Sequence, residues 1–336
     1  MPQSGIGIVP SGDAYTQAQA FTRRAFVPKL FVQTRNATPL VAAMIGSAKP
    51  ATGGISSVTV PMQGGAYVNT QSTDWSGRFN QPANLNPGVN AEWNLKAVIT
   101  PIPFLGMEGL LQWDAAVIPI LAARMNDAGN SVAEYLSTLL WTNATYGSQD
   151  IDGLPLIASA SGTYAGLSRA TNTWLQANVI AAGAVDPTRA LMNQYITSAA
   201  KFNNGEMPDF GITGPGTWSL LSKDFIGLEQ YMITPGSSFD RKADGGPRSG
   251  FTALICSGVP IYVDHAYGVE GTVYFFKRKY TNFYIHQAAA FAFTGFQSTL
   301  ANYQLGYVGA LVTVLEVVSV RPKSVTRITG LNYDTV

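Results

Sequence analysis

The chain has 336 residues, of which 46% are hydrophobic and only 12% charged, with a formal net charge of +1. Soluble domains usually carry about 25% charged residues as a solvating surface, so a neutral, charge-poor chain points to a surface that meets other protein. A single cysteine, Cys256, excludes an intramolecular disulfide framework and a thiolate metal cluster.

The opening MPQSGIGIVPSGDAYTQ is polar and glycine-rich, without the basic and apolar regions of an export signal. Over residues 1–50, Arg23, Arg24, Lys29, Arg35 and Lys49 face one acid, Asp13, which predicts a locally basic, extended arm, with a short helix at 26–34 where Pro28 suits a first turn. Ile55, Val58 and Val60 then form a β-branched run expected to stop at Pro61. A second strand, 92–98, alternates polar and apolar residues as a half-buried strand requires. The stretch between them, rich in Gly, Asn, Gln, Ser and Thr, holds Trp75, Arg78 and Phe79 and is too long for a compact turn. It predicts a two-stranded arm with a wandering tip.

Ile118, Leu121, Met125, Ala128, Val132, Tyr135 and Leu139 recur at alternating spacings of three and four, which predicts a long amphipathic helix over about 117–141. Asp150 to Trp174 (DIDGLPLIASASGTYAGLSRATNTW) follows as a turn-rich segment. Asp186-Pro187 reads as a cap followed by proline, opening a helix through Leu191 and Ile196. A strand at 210–213, a helix carrying Trp218, Leu221, Phe225 and Leu228, and strands at 261–263, 273–276, 283–285 and 311–320 complete an α+β pattern. The apolar run 305–320 is broken by Glu316 and is too short to span a bilayer, so it reads as sheet.

Chemistry finds little footing. There are two histidines, and His265 directly follows Asp264, so on a strand the two side chains point to opposite faces. Both histidines read as strand residues with a satisfied hydrogen bond. No G-x-S-x-G elbow is present. Asp150-Ile151-Asp152-Gly153 lacks the further oxygen ligands of a calcium loop and reads as a turn. The glycines of 211–216 lack the lysine of a phosphate cradle. Lys277-Arg278-Lys279 reads as a solvated edge rather than a phosphate site. The residues therefore point to no catalysis, cofactor or metal.

The order of basic arm, long hairpin, long helix, glycine turn and mixed domain ending in strands resembles the major capsid proteins of tailed bacteriophages with the HK97-like fold. The sharpest local match is Gly153, Leu154, Ile157, Gly162-Thr163-Tyr164, Gly166-Leu167, Arg169, Thr171 and Trp174; a second is Gly258 to Asp264 followed by Gly271 to Phe276. The resemblance implies an N-terminal arm (1–48), an E-loop (49–105), a peripheral domain with the spine helix (106–184 and 271–319) and an axial domain (185–270 and 320–336). It implies hexamers and pentamers of an icosahedral shell enclosing double-stranded DNA, assembled in a host bacterial cytoplasm with a separate scaffolding protein and a portal, with room for a decoration protein and no role for a membrane. Candidate inter-subunit contacts are Arg23, Arg24, Trp75, Arg78, Phe79, Trp93, Arg169 and Trp174. With Arg78 but no lysine in residues 63–90, no lysine–asparagine crosslink is expected. The alternatives are an encapsulin-type nanocompartment shell on the same fold, or a β-rich binding module.

Overall fold

The computed structural model describes residues 39–51, 56–64, 88–105, 114–232, 253–299 and 306–335, together with Ser72, Trp75 and Gly77. The expected helix at 26–34 and the candidates Arg23, Arg24, Arg78 and Phe79 lie outside these residues. Helix α1 (Pro39–Gly46) is buried from Pro39 to Ile45. Its sequence PLVAAMIG is apolar on every face, so it carries no period by which it could be expected.

Strand β1 (Lys49–Ala51) is followed by β2 (Ser57–Met62) and β3 (Val89–Asn94), which pair antiparallel from Ser57↔Asn94 to Met62↔Val89. Pro61 is inside β2 rather than beyond it. Among the described residues the ribbon has two strands, so an edge is open for a residue that donates no hydrogen bond. The expected single strand over 92–98 is divided at Leu95, whose N–H donates to Ser56 O, and β4 (Lys96–Leu105) then enters a different sheet.

The long helix α2 (Asp114–Thr142) forms with nearly the expected limits. Met125, Ala128, Val132 and Leu139 are buried as expected, but Tyr135 is exposed and Leu136 and Leu140 take the core positions. At about 100° per residue Tyr135 drifts some 80° from Met125, whereas Leu136 returns to within about 20°. The chain continues through α3 (Leu154–Ile157), the short hairpin β5 (Thr163–Tyr164) and β6 (Leu167–Ser168), and β7 (Asn178–Val185). Helix α4 (Arg189–Phe202) starts later than Asp186-Pro187 predicts, because Thr188 is the cap: its hydroxyl accepts from Leu191 N. Strand β8 (Phe210–Thr213) leads into α5 (Pro215–Met232), whose first turn is capped by a distant carboxylate, Glu270, accepting from Gly216 N at 3.0 Å and Thr217 N at 3.1 Å. The remaining strands are β9 (Leu254–Cys256), β10 (Val259–Val263), β11 (Val273–Phe276), β12 (Thr281–His286), β13 (Ala292–Phe293), β14 (Gln297–Ser298), β15 (Gly306–Ser319) and β16 (Thr326–Leu331).

Two six-stranded sheets organise these elements. In the first, β15 is the axis. β4 runs antiparallel along one edge from Leu105↔Gly306 to Lys96↔Leu315, β12, β13 and β14 take successive stretches of the other, and β1 lies parallel outside β12. Helix α2 packs on β4 through a core that includes Met125, Val132, Leu136, Val98, Ile102, Leu311 and Leu315. The second sheet has the order β7-β16-β11-β8-β10-β9. Its central strand β11 is buried on both faces: Val273 and Phe275 join α4 and α5 in a second core, whereas Tyr274 and Phe276 join the first. This sheet is thus the wall between two cores.

Strand β4, inside the expected 49–105 segment, pairs along its ten residues with β15 of the first sheet. Strands β7 and β11, inside 106–184 and 271–319, pair with β16 and β8 in the second sheet.

Candidate functional site

The Asp150 to Trp174 segment, which leaves α2, becomes the place where helix, both sheets and the two-stranded arm are joined. Gly153 fits against the end of α2 so closely that a Cβ there would lie 2.4 Å from Asn143 O and 2.6 Å from Leu139 O. Both are backbone atoms and cannot swing aside, so Gly153→Ala is expected to lower stability by about 2 kcal/mol, read as a shift in denaturant midpoint. Ala165 and Gly166, at φ 52° and 77°, form the tip of the β5–β6 hairpin with the two positive φ values that a two-residue turn favours.

Arg169 holds the segment closed. It is wholly buried, and its guanidinium donates to four carbonyl groups: Leu156 O at 2.9 Å, Ile157 O at 3.1 Å, Ser161 O at 3.1 Å and Leu175 O at 3.2 Å. Its charge lies 5.0 Å from the centre of the Tyr164 ring. Tyr164 in turn accepts a hydrogen bond from Ser319 N at 2.9 Å, which fixes the hairpin on β15, and burial raises its phenol above the ordinary range. Trp93 of the arm stands edge-on to Tyr164 with ring centres 5.8 Å apart, and Glu92 N donates to Ala165 O. Trp174, half-buried, lies across Gly64, where a Cβ would be 2.0 Å from its Cγ.

Trp93 and Arg169 are buried within the subunit, at 2% and 0% exposure; Trp93 joins the arm to Tyr164, and Arg169 serves carbonyl groups of its own segment. Among the described candidates Trp75 is fully exposed, and Trp174 keeps a partly open face. Among the described residues the Nε1 of Trp93 and the Nδ1 of His286 are buried without a hydrogen-bond partner, so this nitrogen of His286 lacks the hydrogen bond expected of it. His265 lies exposed in the turn after β10 rather than on a strand, and Asp264 before it is buried.

A second joint was not expected. Asp264 is buried after β10, where Oδ2 accepts from Trp141 Nε1 at 2.9 Å and Oδ1 from Ala266 N and Tyr267 N. Trp141 also meets Tyr274 of β11 edge-to-face at 5.5 Å. The last turn of α2 is thereby fastened to the second sheet. The only sequence signal was a Trp ending the helix and an Asp after a strand, 123 residues apart, and nothing in either pattern pairs them.

The segment also sets a buried acid, Asp152, against another on β15, Glu316. Asp152 and Glu316 are 6% and 1% exposed, and Glu316 Oε1 accepts from Asp152 N at 2.8 Å and from Val317 N at 2.9 Å. Burial is the main cause that pushes Asp152 up to about 6 and Glu316 up to about 8.

The basic run 277–279 is an internally paired cluster rather than a solvated edge. Lys277 and Arg321 bind Glu206 at 2.7 and 3.0 Å, Arg278 meets Asp209 at 3.7 Å, and Lys279 lies 5.3 Å from the centre of the Tyr280 ring. The hydrogen bonds of Lys277 and Tyr280 hold the Glu206 carboxyl below its ordinary value. Cys256 is buried, and burial pushes its thiol up to about 11, which keeps it protonated and unreactive at neutral pH. Among the described residues no three His, Cys, Asp or Glu side chains group to hold a metal ion, and no helix is long and apolar enough to cross a membrane.

No protein family and no curated protein matches the sequence. Solved structures do match the fold. The capsid asymmetric unit of cyanophage A-1(L) is 13% identical, with a TM-score of 0.60 over 88% of this chain and 93% of that one. The fold is the HK97-like capsid fold. The holo-SrpI encapsulin complex from Synechococcus elongatus is 11% identical, with a TM-score of 0.52 over 86% of this chain and 87% of that one. The virus-like particle from Pyrococcus furiosus is 9% identical, with a TM-score of 0.52 over 94% and 98%. An HK97-like fold with identities this low means that architecture is shared while almost every side chain differs. The Arg169 clamp and the Asp152–Glu316 pair therefore have to be understood from this chain's own geometry.

Proposed function

We propose that this chain is the shell subunit of a tailed-phage capsid, assembling into hexamers and pentamers of an icosahedral shell around double-stranded DNA. The observation that carries this reading is the likeness to the cyanophage A-1(L) capsid subunit along nearly the full length of both chains. The low charge content supports it, since a subunit that spends its working life packed among copies needs little solvating surface. In this reading the β2–β3 ribbon is the base of the E-loop, the first sheet with α2 is the peripheral domain, and the second sheet with α4 and α5 is the axial domain. A scaffolding protein and a portal would be its assembly partners, with a decoration protein on the outer surface. The basic residues of 1–38 would cross a neighbouring subunit or meet DNA phosphates without sequence preference.

An encapsulin-type shell is the second reading, favoured by the SrpI likeness. Negative-stain microscopy of the expressed chain should show capsomers or closed shells, and particles from infected cells should contain nuclease-protected DNA. Only monomers would overturn both readings, and shells holding a cargo protein instead of DNA would favour the second. Trp75→Ala should lower the yield of shells several-fold, measured by sedimentation, with no change in subunit melting, because the indole is fully exposed.

A further inference from the structure

We propose that Asp152 and Glu316 share one proton and form a proton-dependent latch between the turn after α2 and strand β15, closed at acidic and neutral pH and loosened at alkaline pH. The inference does not rest on the assembly reading. It rests first on geometry. Two acidic side chains are buried at one junction, and no described cation lies within ion-pair distance of either. Leaving both ionised would place two like charges in a poorly solvated site.

From β4, Lys96 is turned to donate to Ser148 O, so its charge acts on both acids without pairing to either. From the loop after β6, Arg169 lowers Asp152 by its charge but spends its donors on carbonyl groups. From β5, the buried Tyr164 phenol is occupied with Ser319 N. Opposite Glu316 in β12 stands Tyr284, with Lys49 of β1 5.7 Å from its ring centre. Desolvation opposes ionisation of Glu316 most strongly, and Asp152 is the charge that opposes it next. Glu316 Oε1 already accepts two backbone N–H groups, so the shared proton resides on Oε2.

The sign follows from linkage. Both acids are raised from ordinary values of 3.8 and 4.5, to about 6 and about 8, so the folded chain holds more protons than the unfolded one across that window. Stability from the pair is full below the ordinary values and is lost as pH rises through about 6 and then about 8. Loss of the last proton sets Asp152 against Glu316 and weakens the hold of the segment on β15.

Two measurements on the full chain test this. Infrared spectra at neutral pH should show a protonated carboxylic acid stretch that disappears in Glu316→Gln, whose amide oxygen can still accept both backbone bonds. Thermal melts of the native chain should fall as pH rises from about 4 to about 8 and level off above it, and Glu316→Gln should flatten that fall. If Glu316→Gln fails to fold, Asp152→Asn provides the second arm: removing the neighbouring charge should lower the pH at which the acid band disappears. Absence of an acid band at neutral pH would overturn the proposal. So would a fall in melting over that window that is the same in Glu316→Gln as in the native chain.

Discussion

Replacing Arg169 by alanine should lower the stability of the chain by about 4 kcal/mol, among the largest effects expected of a single substitution. The guanidinium serves the carbonyl groups of Leu156, Ile157, Ser161 and Leu175, which come from α3, the turn after it and the 3₁₀ turn Thr173–Leu175. A buried carbonyl that loses its donor costs about 1–3 kcal/mol, and here several lose it together. Water entering the vacated space would recover part of that. Arg169→Met, which keeps the volume, should therefore rescue little, and Arg169→Lys should rescue under half, because an ammonium is a compact donor and cannot reach carbonyls spread around a planar fork. Denaturant unfolding should show a lower midpoint with an unchanged slope. Equal stability of the Met variant and the native chain would show that packing, not hydrogen bonding, fixes the segment.

Much of this architecture was legible in the sequence, and the reasons differ by element. Helix α2 announced itself because one of its faces is apolar and the other polar, and strands β8 and β11 because β-branched and aromatic residues are bounded by turns. Helix α1 was hidden because PLVAAMIG is buried on all sides and shows no period. The break at Leu95 was hidden because the alternation of Glu92 to Val98 runs on through it, while the pairing partner changes from β2 to β15. Only long-range pairing divides that strand. The same limit applied to the sheet partition: β11 reads as a strand, but its place between β8 and β16 is set by residues up to 66 positions earlier and 55 later.

The candidate site was legible as a segment but not as a set of contacts. Glycines 153, 162 and 166 marked the turns, and Arg169 and Trp174 stood out as large side chains in a small-residue stretch. Their exposure could not be read, because an arginine without a nearby acid is normally assigned to the surface. It is buried here because backbone carbonyls, which every sequence supplies everywhere, act as its partners. Glu316 was noticed only as an interruption in an apolar strand. Its opposite number, Asp152, is 164 residues away.

The joint between α2 and the second sheet supplies the other large effect. Trp141→Ala should cost about 4–5 kcal/mol, since it empties a fully buried indole site and leaves Asp264 Oδ2 without its donor. Trp141→Phe separates the two contributions. It keeps most of the packing against Tyr274 and removes the Nε1–H, so about 2 kcal/mol should be lost. The partner's charge makes the bond testable by a cycle. Asp264→Asn keeps an oxygen for Ala266 N and Tyr267 N but turns its amide group toward the indole donor. In that background Trp141→Phe should cost at least 1 kcal/mol less than it does alone, roughly the coupling expected of a buried, charge-assisted pair. Additive losses would mean that the indole acts through volume only. Coupled losses, with faster hydrogen exchange at the α2 C-terminus and in the Asp264 turn, would show that one hydrogen bond fastens the long helix to the sheet that separates the two cores.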